Sequence, residues 1–156
     1  MADTRYLTKE VEDFVRLRLR QLHGTEFSKR KLSLTTGGKH EFDAVSTDGD
    51  IVASIKATSG RTSGGNLPQG KFNNAIAELY YLNLVKAPTR ILVLTNADFR
   101  GLLVRKLQGA IAPGVSIEYI PLSVEIQAEV DKVVRAASDE MSRQAAAEIV
   151  AEAEIT

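Results

Sequence analysis

Apolar residues along the chain change their spacing several times, and each change marks an element. Val11, Phe14, Val15, Leu19 and Leu22 recur at helical spacing, which predicts a first helix over about residues 8–23, with Thr8 as its cap and Gly24 as its stop. Leu32 and Leu34 begin a strand, and Gly37-Gly38 interrupts the pattern. In HEFDAVSTDGDIVASIKA two short β-prone runs flank Asp48-Gly49, a strong hairpin signal. Residues 58–70 are rich in Gly, Ser and Thr and read as a loop. Phe72, Ile76, Leu79 and Leu82 or Val85 mark the core side of a second helix that Pro88 closes off. Within it, Tyr80 is expected in the core and Tyr81 at the core edge.

RILVLT, Arg90–Thr95, is nearly all apolar, as a buried central strand should be. A third helix is expected from Ala97 to about Leu107 and a further strand over Val115–Leu122. From Ser123 onward the chain reads as a long helix. Its stripe of Ile126, Val130, Val133, Ala137, Met141 and Gln144 approximates a heptad. This order of elements gives an α/β domain with a mixed sheet and helices on both sides, over residues 1–122. Residues 123–156 form a C-terminal helical extension that packs on the domain or on a partner chain.

Composition narrows the chemistry. A chain of 156 residues with 44% hydrophobic and 26% charged residues is ordinary for a globular protein. The absence of cysteine removes disulfides, thiolate zinc sites and cysteine nucleophiles, and two histidines leave little for a histidine-rich metal site. The N-terminal segment has no apolar run of signal-peptide length, and no run reaches the roughly 20 residues that cross a bilayer. The expectation is a cytoplasmic protein without a membrane partner. Twenty basic and twenty acidic side chains cancel. The basic ones gather between residues 16 and 39 and the acidic ones after Glu125, so a basic face can coexist with an acidic tail.

The hairpin carries the candidate chemistry. A regular register places Asp43 opposite Ser54 and Glu41 opposite Lys56, all four on one face of the sheet; a one-residue bulge would break it. Aspartate is depleted in strands, so Asp43 is the strongest anomaly. Its plain alternative is an edge charge facing water, and Lys56 alone is what a solvated edge strand often carries. Carboxylates converging with a lysine suit phosphodiester chemistry, because magnesium takes one or two carboxylates plus water and phosphate oxygens.

Over residues 8–122 the sequence resembles the PD-(D/E)XK nuclease superfamily. VEDFVRLRL resembles that family's first helix, with Glu12 or alternatively Glu10 at its glutamate. EFDAV supplies the aspartate, Asp43, and Ser54-Ile55-Lys56 occupies the acidic-X-lysine tripeptide. AIAELYYL and RILVLTN resemble the helix and strand that follow. The departure is Ser54, where the family usually has Asp or Glu. Some restriction enzymes of the family carry Ser-X-Lys and take the missing carboxylate from the next helix, where this chain has Glu78.

The resemblance implies a restriction endonuclease-like fold and an Mg²⁺-dependent (or Mn²⁺-dependent) endonuclease hydrolysing phosphodiester bonds in DNA. It implies catalytic roles for Asp43, Lys56, Glu78 and Glu12, with Asp43 and Glu78 as metal ligands. The source of the second carboxylate stays open among Glu78, Glu41 and Glu12. Arg61, Lys71 and Lys39 are candidate nucleic-acid contacts. Nucleases of this fold often cut as homodimers. The alternative is a catalytically degenerate nuclease-fold module for binding or assembly.

Overall fold

The computed structural model describes residues 4–57 and 68–155. In chain order the elements are α1 (Thr4–His23), β1 (Phe27–Ser33), β2 (Lys39–Ser46), β3 (Ile51–Lys56), α2 (Gln69–Leu84), β4 (Thr89–Leu94), α3 (Ala97–Lys106), β5 (Val115–Tyr119) and α4 (Val124–Ile155). The chain divides into two compact units, Val11–Leu122 and a second made of Met1–Glu10 with Ser123–Thr156.

The first unit is an α/β layer structure around one five-stranded mixed sheet of order β1-β2-β3-β4-β5. β1, β2 and β3 pair antiparallel, whereas β3–β4 and β4–β5 pair parallel. Parallel neighbours need a crossover, which α2 and α3 supply. Alternation sorts the central strands. Val52, Leu92 and Leu94 join Ala75 and Leu82 of α2 and Phe99 and Leu103 of α3 in one buried cluster. Ala53, Ile55, Ile91 and Val93 are buried on the opposite face. Val11, Val15 and Leu19 of α1 are buried as well, and α1 is tied to β2 by the Arg16 hydrogen bond to the Asp43 carbonyl.

Gly24, at φ 71°, reverses the chain after α1, and its N–H donates to the Arg20 carbonyl. The hairpin turn places Gly49 at φ 79°, with its N–H on the Ser46 carbonyl. Asp48 stays well ionised there, held below the usual carboxylate range by the Asp50 N–H and the Ser46 hydroxyl.

Several expectations need correction. α1 begins at Thr4, so Thr8 lies inside the helix instead of capping it. Burial along its stripe stops at Leu19, and Leu22 in the last turn is exposed. β1 begins at Phe27, ahead of the two leucines. Tyr80 is 61% exposed, while Tyr81 packs against the core. The inward stripe of α2 runs through Ala75 and Leu82, which turns position 80 to solvent and position 81 toward the sheet.

In the second unit, Ser123 Oγ accepts the Ile126 N–H at the start of α4. Ile126 is buried, and the described side chains from Val134 to Ala151 are exposed. No helix among the described residues is long and apolar enough to cross a membrane.

Candidate active site

The sheet departs from regularity where β2 carries its aspartate. In the β1–β2 register Ser28 faces Val45 and Arg30 faces Phe42. Lys29 alone therefore opposes two residues, Asp43 and Ala44, which is a β-bulge. Such an extra residue flips the alternation of everything beyond it. Val45, opposite Val52 on β3, belongs to the cluster under α2, and so does Phe42, although their numbers differ in parity.

The bulge decides which side chains meet. The β2–β3 register runs through Ala44–Ala53 and Val45–Val52, as a regular hairpin requires. At the next step Asp43 Oδ2 accepts the Ile55 N–H at 2.8 Å, so a side chain takes up a donor of β3. Glu41 is turned away. It pairs in register with Lys31, and its carboxylate lies 3.9 Å from Lys29. The expected position of Glu41 opposite Lys56 is thus not what the fold builds. His40 takes that face in its place.

Glu78, on α2 above β3, is the carboxylate that meets the tripeptide. Its Oε2 accepts the Ser54 hydroxyl at 2.9 Å and lies 3.3 Å from His40 Nε2. Its Oε1 lies 3.9 Å from Lys56 Nζ. Ser54 is fully buried, so its hydroxyl needs a partner inside the protein, and Glu78 is that partner.

Glu12 approaches from α1 on the other side of the sheet. Its Oε2 is 3.6 Å from Arg16 and 3.4 Å from Lys29. Arg16 also donates to the Asp43 carbonyl at 2.6 Å, tying α1 to the bulge. Burial raises the pKa of Asp43, and the Ile55 N–H opposes that shift. The nearby charges of Glu12 and Glu78 raise it further, and Lys56 lowers it. Asp43 is therefore a half-buried carboxyl facing two other acids and one ammonium.

The structure thus gathers Asp43, Ser54, Lys56, Glu78 and Glu12, and leaves Glu41 out. Lys39 is exposed one residue before His40. Lys71 lies in the first turn of α2, two turns before Glu78 and on the same helix face. Arg61 and most of the Gly-rich segment lie outside the described residues. Sequence reasoning missed His40, Arg16 and Lys29. For Arg16 the signal was available, since a basic residue one turn after Glu12 is an ordinary helix ion pair.

Among the described residues, no three or more His, Asp or Glu side chains stand in a ready ligand geometry. Magnesium does not require three, because it is commonly held by one or two carboxylates with waters completing its shell. The donor set fits such an ion. Its donors are hard oxygens, and the carboxylates of Glu12 and Glu78 both raise the cost of ionising Asp43, a cost that a bound dication would relieve.

No family model matches the chain, and the comparisons with curated proteins and solved structures found no match.

Proposed function

We propose that this protein is an Mg²⁺-dependent endonuclease of the PD-(D/E)XK kind, acting on DNA, in which Glu78 replaces the carboxylate missing at Ser54. The observation that carries the reading is the 2.9 Å hydrogen bond from the buried Ser54 hydroxyl to Glu78, with Lys56 on the other oxygen of that carboxylate. On this reading the helix-borne Glu78 would take the part of the tripeptide acid, beside Lys56 and within electrostatic reach of Asp43.

Asp43 and Glu78 would hold the ion, which supplies charge neutralisation at the phosphate and a more acidic bound water. Asp43 offers Oδ1, since Oδ2 is engaged by the Ile55 N–H. Lys56, 3.9 Å from Glu78, can donate to a phosphate oxygen or to the attacking water and stabilise charge as it builds. Glu12, fixed by Arg16 and Lys29, assists by accepting a hydrogen bond from water near Asp43. Lys71 and Lys39 would contact the phosphate backbone on either side.

The test is incubation of the purified protein with Mg²⁺ or Mn²⁺ on supercoiled, linear and branched DNA. Cleavage that disappears in Asp43→Asn and Lys56→Ala, with both variants folded, is expected. Absence of cleavage on every substrate would remove the endonuclease reading. Tight Mn²⁺ binding that disappears in Asp43→Ala would argue against the degenerate module.

A further inference from the structure

Glu78 can serve as a ligand only if its carboxylate is held in one rotation. Its side chain is long, and it springs from a helix, not from the strand that carries Lys56. Two donors meet on the same oxygen, the Ser54 hydroxyl at 2.9 Å and His40 Nε2 at 3.3 Å. The other oxygen is left toward Lys56.

His40 is itself fixed. Its ring lies flat on Tyr81, with centroids 3.8 Å apart and planes 6° from parallel. Phe42 meets it edge-on at 4.9 Å and 79°. Tyr81 follows Glu78 by three residues on α2, so the residue that clamps the imidazole and the residue the imidazole holds share one helix face. The bulge at Asp43–Ala44 puts His40 on this face at all.

We propose that His40, sandwiched by Tyr81 and Phe42, is a positioning residue that fixes the Glu78 carboxylate for metal binding. The proposal rests on the nuclease reading above. An imidazole with Nε2 protonated donates to Oε2 whether or not it is charged, so the role needs no titration. Partners that orient a ligand in this way typically contribute 10–100-fold to metal affinity.

Three variants test it, with Mn²⁺ affinity measured by calorimetry and cleavage measured across a Mn²⁺ series. His40→Phe keeps an aromatic ring between Tyr81 and Phe42 and removes the donor. Its Mn²⁺ affinity should fall about 10–100-fold, with kcat recovering at high Mn²⁺ and the melting temperature close to wild type. His40→Gln restores a donor amide and should regain most of the affinity, whereas His40→Ala should not. Wild-type Mn²⁺ affinity in H40F overturns the proposal. If H40F does not fold, equal affinities in H40Q and H40A overturn it instead. A wild-type protein that binds no Mn²⁺, or binds it equally well as Asp43→Asn, defeats the nuclease reading and the His40 role with it. Wild-type binding that D43N loses and H40F keeps defeats the His40 role alone.

Discussion

The two ends of the parallel strands use charge in opposite ways. At the N-terminal end, Arg90 of β4 donates NH1 to the Leu82 carbonyl at 3.1 Å and NH2 to the Pro113 carbonyl at 2.7 Å. One cation there satisfies backbone oxygens where α2 ends and β5 begins, and it faces no like charge in those contacts. At the C-terminal end, Lys56 is a single ammonium beside Glu78, and Asp43 feels both Glu78 and Glu12. The first arrangement ties two backbone carbonyls with one guanidinium, while Arg90 Nε is buried without a hydrogen-bond partner among the described residues. The second gathers acids that the fold alone would keep apart. Ligands of α/β sheets commonly bind beyond the carboxyl ends of the strands, and that is where the strained charges stand here.

The contrast predicts that changes at one end cost activity and changes at the other cost stability. The largest effect is expected from Lys56→Ala and Asp43→Asn, each lowering Mg²⁺-dependent cleavage by on the order of 10²–10³-fold or more, with little change in circular dichroism. Plasmid nicking rates check it, and a folded, fully active K56A would place the chemistry elsewhere. Arg90→Met should leave cleavage at permissive temperature unchanged. It strips two carbonyls of their donors and should destabilise the protein by about 1–3 kcal/mol in urea unfolding. Gly114→Ala at the same end comes next. Gly114 has φ 82°, and a Cβ there would lie 2.6 Å from Arg90 NH2. A loss of about 1–2 kcal/mol is expected from the left-handed backbone alone, and a neutral G114A would show that the Arg90 end is more pliable than its geometry implies.

The same two ends were unequally legible in the sequence. RILVLT announces a buried strand because apolar runs between a helix and a turn have few other uses, and the hairpin follows from Asp48-Gly49. Asp43 stood out because aspartate is depleted in strands, and Lys56 only through its place in Ser54-Ile55-Lys56. The partnership of Glu78 with Ser54 was within reach only by comparing a serine with the acid expected there. The β2 bulge was not readable. It contains no glycine to mark it, and it is made by Asp43 and Ala44 opposing Lys29 across a strand whose pairing appears only in three dimensions. Because one extra residue reverses every later side chain, strict alternation chose Glu41 and passed over His40. Tyr80 was misplaced for a related reason, while Tyr81 sits at the core edge as expected: a helix stripe that includes an alanine, Ala75, is hard to orient from large apolar residues alone.

The smallest effect isolates the tension at the C-terminal end. The folded protein raises the pKa of Asp43 above its usual 3.8, first through burial and then through Glu12 and Glu78. An acid shifted in that direction binds its proton more tightly folded than unfolded. Its contribution to stability is therefore fully present below pH 3.8 and lost as pH rises through the folded-state value. At neutral pH the ionised Asp43 should weaken the fold, and Asp43→Asn, whose amide oxygen can still accept the Ile55 N–H, should melt above wild type in EDTA. That advantage should shrink as the pH falls through the raised folded-state value of Asp43 and be gone below its ordinary 3.8. Mg²⁺ should erase it from the other direction, because an ion bound to the native wild type stabilises it by about 2.7 kcal/mol at a hundred times its Kd, while D43N has lost the ligand. Melting curves for both proteins at pH 7, with EDTA and with a Mg²⁺ series, measure the crossing. A D43N protein that is less stable than wild type in EDTA would mean that ionised Asp43 is held without strain, and the case for Asp43 as a cation ligand would lose this support.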